Sequence, residues 1–308
     1  MAEASALLFA YCETPLHAGT GRAVGTVDLP IQRERITGFP IVQASSVKGV
    51  LRAAAQPNGG AEAERHRALF GPDRPEEASS HAGALQVTDL QVILFPVRSL
   101  AGVFAWTTSP AVLARLGRLA RLVGLEGPVD ATRFAALQPG SCAVANGSAL
   151  LAQAGQQIGV VLEEYSFTLV GELAGLVSAL AEWLAAHALP QGTEYAWWRE
   201  NLAKHLCVLA DDDFRDFVLY STEIEAHVRL KDETKTVESG ALWTTEALPA
   251  ETLLASLLAA TRSRYDKVDE DGHTLLGWLV QRLDGKRVRI GGDETTGRGA
   301  VVLRVTRV

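Results

Sequence analysis

Leu7-Leu-Phe-Ala-Tyr-Cys12 near the start of the chain and Val301-Val-Leu-Arg-Val-Thr-Arg-Val308 at its end both have the composition of β-strands. Further strands are expected at 85–97, 103–107, 159–163, 166–170 and 288–290, and helices at 62–70, 111–123, 171–188, 195–206, 253–261 and 275–283. This irregular order, bounded by strands, predicts an α+β fold rather than a regular parallel βαβ series. No break in composition marks a linker, so residues 1–308 are expected to form a single domain with insertions.

A projecting hairpin is predicted at about 222–245. Ile224, Ala226 and Val228 alternate on one face of the first strand, a polar turn follows at 231–235, and the chain returns from Val237. The acidic run 211–213 just before it is expected to open a short helix, since carboxylates are favoured at the positive end of the helix dipole.

The charge of the chain is unevenly distributed. The 308 residues are 47% hydrophobic and 21% charged, which is typical of a globular protein. A net charge of -7 argues against a general nucleic-acid binder, because phosphate contacts need Lys and Arg. Residues 14–52 nevertheless carry +3 and residues 286–308 carry +4, which leaves -14 on the rest. This pattern indicates one basic groove on an acidic body, with chance clustering of solvated charge as the alternative.

The sequence predicts a cytoplasmic protein without a membrane partner. No stretch approaches the roughly 18 apolar residues of a spanning helix, and the N-terminal segment lacks the basic flank of a signal peptide. Cys12, Cys142 and Cys207 lie far apart and form no CxxC pair. Buried free thiols are therefore expected, not a disulfide or a zinc site.

The loop at 13–43 concentrates side chains suited to phosphodiester cleavage. His17 and Asp28 are candidate bases, acids or metal ligands, and Arg33 and Arg35 could stabilise developing negative charge. A loop aspartate is also a common turn former and a single histidine is often structural, so both interpretations stay open. The glycine-rich segment at 19–25 does not open a helix, which argues against a dinucleotide site.

Two further segments offer contacts to a phosphate backbone. Ser45 or Ser46 is expected to cap a helix on which Lys48, in the first turn, and Arg52 lie one turn apart. The loop Gly291-Gly-Asp-Glu-Thr-Thr-Gly-Arg-Gly299 lacks the Gly-Lys-Ser/Thr ending of a triphosphate-binding loop. Its backbone N–H groups and its arginine could still bind an anion, with a wide hairpin turn as the structural alternative.

Five blocks spaced along the chain form an ordered series. They are Thr14-Pro-Leu-His-Ala-Gly19, Val27-Asp-Leu-Pro-Ile-Gln-Arg-Glu-Arg35, Ser45-Ser-Val-Lys-Gly-Val-Leu-Arg52, Asp232-Glu-Thr-Lys-Thr-Val-Glu-Ser-Gly-Ala-Leu-Trp243 and Ile290-Gly-Gly-Asp-Glu-Thr-Thr-Gly-Arg-Gly-Ala-Val301. In order and spacing the series resembles the backbone subunit of type III-B CRISPR effector complexes, the Cmr complexes, within the repeat-associated mysterious protein (RAMP) superfamily. Segments 57–80 and 128–154 lie outside the resemblance.

The resemblance implies an RRM-like, ferredoxin-like βαββαβ core with helical insertions, and a hairpin that acts as a thumb by displacing a base from the guide–target duplex. It implies as partners a CRISPR guide RNA, a target RNA, other copies of the chain and other Cmr subunits. Contacts to the RNA backbone suit a protein that must accept any guide, because phosphates carry no direct sequence information. The residues expected to bind RNA are Arg33, Ser45, Ser46, Lys48, Arg52, Gly292, Thr296 and Arg298.

By the same resemblance, Asp28 is the residue associated with cleavage of target RNA, as general base or as ligand of a divalent cation, Mg²⁺ or Mn²⁺. His17 is expected to orient the phosphate or to act as acid, and Glu238 to act from a neighbouring copy. The family's Glu-Glu-Gly triplet runs Glu238-Ser-Gly240 in this chain, so a second carboxylate is missing there. The alternatives are an architectural RNA-binding subunit without catalysis and a guide-processing endoribonuclease that uses His17.

Overall fold

The structure, a computed structural model, describes residues 2–21, 26–72, 80–128, 130–154, 157–231, 233–234 and 236–307, without the side chains of residues 154, 157, 230 and 237–240. Within these residues the chain forms one large, mostly antiparallel sheet with helices packed on it and a separate two-stranded hairpin. The mixture of strands and helices in irregular order agrees with the prediction.

The strands are β1 (Ala4–Cys12), β2 (Ile41–Val42), β3 (Leu85–Val87), β4 (Leu90–Arg98), β5 (Phe104–Thr108), β6 (Ser141–Val144), β7 (Leu151–Ala154), β8 (Gln157–Leu162), β9 (Tyr165–Leu169), β10 (Leu206–Leu209), β11 (Glu223–Leu230), β12 (Val237–Ala247), β13 (Leu253–Ala260), β14 (Arg287–Arg289) and β15 (Ala300–Thr306). The main sheet has the order β14-β15-β1-β13-β4-β5-β10-β6-β9-β8-β7, with β2 paired to β4 and β3 to β13. Its first and last long strands are neighbours, since Leu8 of β1 lies opposite Val305 of β15.

The helices are α1 (Ala44–Ala54), α2 (Ala61–Phe70), α3 (Pro110–Leu122), α4 (Ala174–His187), α5 (Ala196–His205), α6 (Asp211–Tyr220) and α7 (Gly272–Leu283). Their amphipathic faces cover the sheet: Leu275, Leu276 and Leu279 of α7 are fully buried where that helix packs on β1 and β13. The acidic run at 211–213 opens α6, as predicted. None of the described helices is both long enough and apolar enough to cross a bilayer.

The helix predicted at 253–261 is wrong, because this segment forms strand β13. Leu253–Ala260 consists mainly of leucine and alanine, which have high helix propensity. All eight residues are small or apolar, so the hydrophobic pattern has no periodicity that could distinguish a helix from a fully buried strand. The segment lies between β1 and β4, and Leu257 is opposite Leu7. Burial on both faces in the middle of the sheet therefore overrides local propensity.

The expected cap of α1 is also wrong. The helix begins at Ala44, and Ser45 and Ser46 lie exposed inside its first turn. The Ala44 N–H is instead bound by the Asp89 side chain, with 2.7 Å between N and Oδ1. The capping oxygen thus comes from the β3–β4 connection, which local sequence cannot reveal, and Lys48 falls at the start of the second turn.

The predicted hairpin is present as the pair β11 and β12. Its antiparallel register places His227 opposite Trp243 and Val228 opposite Leu242, and the two rings of the first pair stack with centroids 5.4 Å apart. Cys12, Cys142 and Cys207 are free and buried, as predicted. Burial raises the pKa of the Cys12 thiol to about 12, which keeps it protonated and unreactive.

Glu251 occupies a strained position in the turn between β12 and β13. Its φ is 69°, in the left-handed region, where its N–H donates to the Cys12 carbonyl (2.7 Å) and its own carbonyl accepts from Trp106 Nε1 (2.9 Å). The carboxyl oxygen Oε2 is buried, and the described residues offer it no hydrogen-bond partner. Burial accordingly raises the pKa of this carboxyl from 4.5 to about 7.

We expect Glu251→Gln to stabilise the protein at pH 8 and to change little at pH 4. Because the folded-state pKa exceeds the unfolded one, stability is highest below pH 4.5 and falls as the pH rises to about 7. Above that pH the ionised carboxylate costs about 1–3 kcal/mol, after allowance for its partial exposure. Urea unfolding of both proteins at the two pH values measures the effect, and equal free energies of unfolding at pH 8 would contradict it.

Candidate functional site

The long loop between β1 and α1 lies along the edge of β12 that does not pair with β11. Leu16 exchanges two backbone hydrogen bonds with Leu248, each 2.9 Å. Leu29 pairs in parallel with Thr245, through its N–H to the Thr244 carbonyl and its carbonyl from the Glu246 N–H, both 3.0 Å. The loop therefore forms an irregular third strand at the base of the hairpin, and this pairing holds the candidate residues Asp28 and His17 against β12.

Asp28 is bound to Thr244 by three hydrogen bonds. The Thr244 N–H and hydroxyl both donate to Asp28 Oδ2, at 2.8 and 2.9 Å, and the Asp28 N–H donates back to the Thr244 hydroxyl oxygen at 3.0 Å. The contacts orient the carboxylate by concentrating two donors on one oxygen. Asp28 is exposed, so the group is positioned without being buried.

His17 is held by the same strand, two residues further along. Its Nδ1 lies 2.6 Å from the Glu246 carbonyl oxygen, which can only accept, so Nδ1 carries the proton. In the neutral ring, Nε2 then has the free lone pair. This edge of the ring faces Gly19 and Gly292, where an added Cβ would lie 2.5 Å from Nε2 and 3.1 Å from Cδ2, respectively.

The two anchors set the spacing of the candidate acid–base groups. Thr244 and Glu246 are separated by two residues of an extended strand, which spans roughly 7 Å. Asp28 and His17 are thus brought to one edge of β12 although the loop between them includes residues outside the described part of the structure. The strand therefore holds a carboxylate and an imidazole with a defined tautomer, two side chains of the types that transfer protons in phosphodiester cleavage.

Glu246 joins the loop to the hairpin through its buried carboxylate. It accepts from the Ile31 N–H (3.0 Å), from the Thr222 hydroxyl (2.8 Å) and from Arg33 Nη2 (2.5 Å). Arg33 also donates to the carbonyl oxygens of Gly38 and Val218, at 2.9 and 2.8 Å. The structure therefore gives Arg33 an internal role, and its assignment to RNA stays a prediction.

A cleft of about 460 Å³ lies between the loop, α1 and the glycine-rich loop. Its lining includes His17, Gly19, Gln32, Ser46, Gly291 and Gly292. Gly291 is essential to this shape, since its φ is 88° and a side chain there would collide with the His17 carbonyl oxygen, which accepts from the Gly292 N–H at 2.8 Å. The cleft brings four of the five sequence blocks together at one surface.

The predicted RNA-binding side chains differ in how freely they face solvent. Ser45 and Ser46 are exposed, whereas Lys48 Nζ donates to the Leu85 carbonyl (2.8 Å) and Arg52 Nη2 donates to the Pro72 carbonyl (2.7 Å). Burial, together with the neighbouring Arg52 charge, lowers the pKa of Lys48. Neither cation lines the cleft: at 100° per residue, Lys48 and Arg52 point away from Ser46 and Val50, the α1 residues that do, and each would have to give up a backbone contact to reach a phosphate.

In the glycine-rich loop, Thr296 is exposed and Arg298 is not. Arg298 is 8% exposed and forms an ion pair with Glu225 on β11, while its Nη1 has no partner among the described residues. Its guanidinium ties the loop to the hairpin, beside a groove of about 520 Å³ that Thr296 also lines. Glu238 belongs to β12, but its side chain lies outside the described part of the structure, so its role stays a prediction.

Sequence reasoning missed the two residues that organise the site, Thr244 and Glu246. The only local signal was their spacing, because residues two apart on a strand share a face. Nothing in the sequence indicates that this face meets a loop more than 200 residues away.

The whole chain matches one known family. A family model described as the RAMP superfamily matches residues 9–302. A relative described as the CRISPR system Cmr endoribonuclease Cmr4 of Pyrococcus furiosus is 36% identical over 97% of this chain and 94% of its own length. The chain belongs to the RAMP superfamily.

Solved structures agree with membership of the RAMP superfamily. Oligomeric Cmr4 from Pyrococcus furiosus is similar with a TM-score of 0.71 and 28% identity, over 98% of each chain. A chain of the type III-B Cmr-beta complex bound to cognate target RNA has a TM-score of 0.73 at 21% identity, over 99% of this chain and 98% of its own. The RAMP fold therefore extends over almost the entire chain.

Proposed function

We propose that this RAMP protein is the repeated backbone subunit of a type III-B CRISPR effector complex, which binds the guide RNA and cleaves the paired target RNA beside Asp28. The observation that carries the proposal is the orientation of Asp28 by Thr244 at the base of the hairpin. The relative's description as an endoribonuclease of the Cmr system supports the same activity, and the oligomeric form of a similar protein supports assembly from copies.

The strand order supports a ferredoxin-like core. Four neighbouring strands of the sheet, in the order β15-β1-β13-β4, are all antiparallel. Helix α1 follows β1 in the chain, and α7 lies between β13 and β15. This is the arrangement expected for a βαββαβ core. The hairpin β11–β12 forms a separate sheet beside this core. In the proposal it is the thumb, and Ile224, Val228 and Leu242, each about half exposed or more, form its apolar face toward a displaced base.

The guide RNA is proposed to follow the cleft between α1 and the glycine-rich loop. Exposed Ser45 and Ser46 and the backbone N–H groups of the glycine segment can contact phosphates without reading bases. Lys48 and Arg52 lie on the other flank of α1, and in the proposal they bind the guide there after leaving their backbone partners. Because these groups bind the backbone, one surface can serve every guide sequence.

Cleavage is proposed to use the target RNA's own 2′-hydroxyl as the nucleophile. The Asp28 carboxylate accepts the hydroxyl proton, the 2′-oxygen bonds to the adjacent phosphorus, and the 5′-oxygen leaves with a proton. This yields a 2′,3′-cyclic phosphate and a 5′-hydroxyl. His17, whose tautomer is set by the Glu246 carbonyl, presents Nε2 either to orient the phosphate or, when protonated, to supply the proton to the leaving oxygen.

A divalent cation remains part of the proposal. The described residues contain no group of three His, Cys, Asp or Glu side chains that could hold a metal, so a cage made by protein alone is not available there. Mg²⁺ and Mn²⁺ fit a different arrangement, in which one carboxylate and substrate phosphates share the ion with water. In this alternative to its role as general base, Asp28 would be the protein ligand of the ion, and the ion would neutralise charge that develops on the phosphate.

Reconstitution with a guide and a complementary RNA tests the function directly. We expect evenly spaced cuts in the target, dependent on a divalent cation, with 5′-hydroxyl products separated on a sequencing gel. A non-complementary RNA of equal length is the control. Assembly on the guide without cuts would support the architectural alternative, for which the internal hydrogen bonds of Asp28 are also suited, and would refute catalysis.

A further inference from the structure

Helix α6 separates two exposed features of opposite chemistry. On one side lies the segment at residues 33–39, which contacts the helix through Arg33 to the Val218 carbonyl (2.8 Å) and through the rings of Phe39 and Phe214, with centroids 5.4 Å apart. On another face lies a pocket of about 180 Å³. At 100° per residue, Phe214 points about 110° away from the mean direction of the helix residues that line the pocket, so the segment and the pocket lie on different faces of α6.

The pocket has aromatic walls and an acidic rim. It is lined by Tyr165, Phe167, Phe217 and Tyr220 and by the carboxylates of Asp213 and Asp216, with no Lys or Arg in its lining. Tyr165 is 61% exposed and Tyr220 is 82% exposed, which is unusual for side chains of this size beside a cavity. Burial has the largest influence on the Asp213 carboxyl and raises its pKa, so a cation beside it would be favoured.

The chemistry of the pocket selects a cation with an apolar neighbour. Aromatic faces and carboxylates together bind guanidinium groups. A space of roughly 150 Å³ is sufficient for a group the size of benzene, so one branched aliphatic side chain fits. RNA is a poor candidate, because α6 carries four aspartates against one arginine and would repel phosphates.

The exposed segment at residues 33–39 carries both a guanidinium group and a branched aliphatic side chain. Ile36 is 97% exposed, the highest value among the large exposed hydrophobic side chains, and the adjacent Arg35 is exposed with no carboxylate partner among the described residues. Covering this side chain by a partner would remove its apolar surface from water, which is favourable. Because the segment and the pocket are two different surfaces of the same chain, a contact between them is heterologous and can repeat from copy to copy.

We propose that Arg35 and Ile36 of one copy dock into the Tyr165–Tyr220 pocket of the next, with the guanidinium on Asp213 and Asp216 and the isoleucine against the rings. The proposal rests on the function as a repeated subunit, and it adds the contact through which neighbouring copies set their spacing. It requires no catalysis, so its test is independent of RNA cleavage.

Disulfide crosslinking between separately prepared chains tests the contact. Chains with Ile36→Cys and chains with Tyr220→Cys are mixed on a guide RNA long enough for several copies and oxidised; the native cysteines are buried and do not compete. We expect the Ile36→Cys and Tyr220→Cys pair to form mixed dimers about tenfold faster, or more, than a control pair of Ile36→Cys and Leu122→Cys chains. The reason is that proximity raises the effective concentration of the thiols. Leu122 is a matched control, because it is 63% exposed and lies at the far end of α3. Equal rates for the two pairs would overturn the proposal.

Charge exchange gives a second readout. Arg35→Asp and Asp216→Arg each alter an exposed residue, so both variants are expected to fold. Each alone should weaken copy-to-copy binding on the guide by about tenfold or more, as measured by the length of assemblies in sedimentation. A mixture of the two should regain full-length assemblies in alternating order. If the mixture stays as short as the single variants, or if neither variant shortens the assemblies, Arg35 does not meet this pocket.

Discussion

Asp28→Asn is expected to reduce cleavage of a guide-matched target RNA by about 100-fold or more. Asparagine has the shape of aspartate and can still accept from the Thr244 N–H and hydroxyl, so the loop should keep its position. It can neither accept the 2′-hydroxyl proton nor hold a divalent cation with a full negative charge. Single-turnover cleavage of end-labelled target measures the loss, and filter binding of the same RNA should change less than about twofold, because Asp28 contributes no positive charge to the RNA track.

A companion variant separates the carboxylate from its orientation. Thr244→Val removes one of the two donors to Asp28 Oδ2 and leaves the backbone N–H in place. We expect an intermediate loss, about tenfold, because a less constrained base spends less time in the reactive position. Cleavage by Asp28→Asn within about tenfold of the unmodified rate would show that the chemistry is performed elsewhere.

Glu246→Ala is expected to be the most destabilising single change at the site. The buried carboxylate accepts hydrogen bonds from Arg33, the Ile31 N–H and the Thr222 hydroxyl. Its removal leaves the largely buried Arg33 cation without its counter-ion and the two other donors without their acceptor. Loss of one partner of such a pair costs about 3–5 kcal/mol. With an unfolding entropy of about 2.1 cal/mol/K per residue, this corresponds for 308 residues to a fall in Tm of roughly 5–8 °C, measurable by calorimetry.

The matched control is Glu164→Ala, which removes a carboxylate that is 77% exposed and 3.9 Å from Arg98. Exposed pairs of this kind contribute at most about 1 kcal/mol, so its Tm should stay close to that of the unmodified protein. Glu246→Ala should also lower cleavage at temperatures where the chain is still folded, since the backbone around His17 and Leu29 would lose its support. Equal melting temperatures for the two variants would show that the Arg33–Glu246 pair does not connect the loop to the hairpin.

Local sequence patterns were sufficient to predict those helices and strands whose apolar residues recur at a clear helical or strand spacing. The alternation of Ile224, Ala226 and Val228 correctly predicted β11, and the apolar spacing in 111–123 predicted α3 to within one residue at each end. The pattern was insufficient at 253–261, where leucine and alanine suit a helix and a buried strand equally. Only the position between β1 and β4 decides that case.

The sequence by itself determined that this protein has strands at both ends, a hairpin, a loop rich in side chains of the types used in phosphodiester cleavage, and five blocks that resemble the RAMP superfamily. These features depend on residue type and short-range spacing, which the chain carries before it folds. The tertiary structure alone decided that Asp28 and His17 are anchored two residues apart on β12, and that Arg33 and Arg298 make ion pairs within the protein. Those contacts join residues more than 70 positions apart, so they exist only once the hairpin packs against the loops.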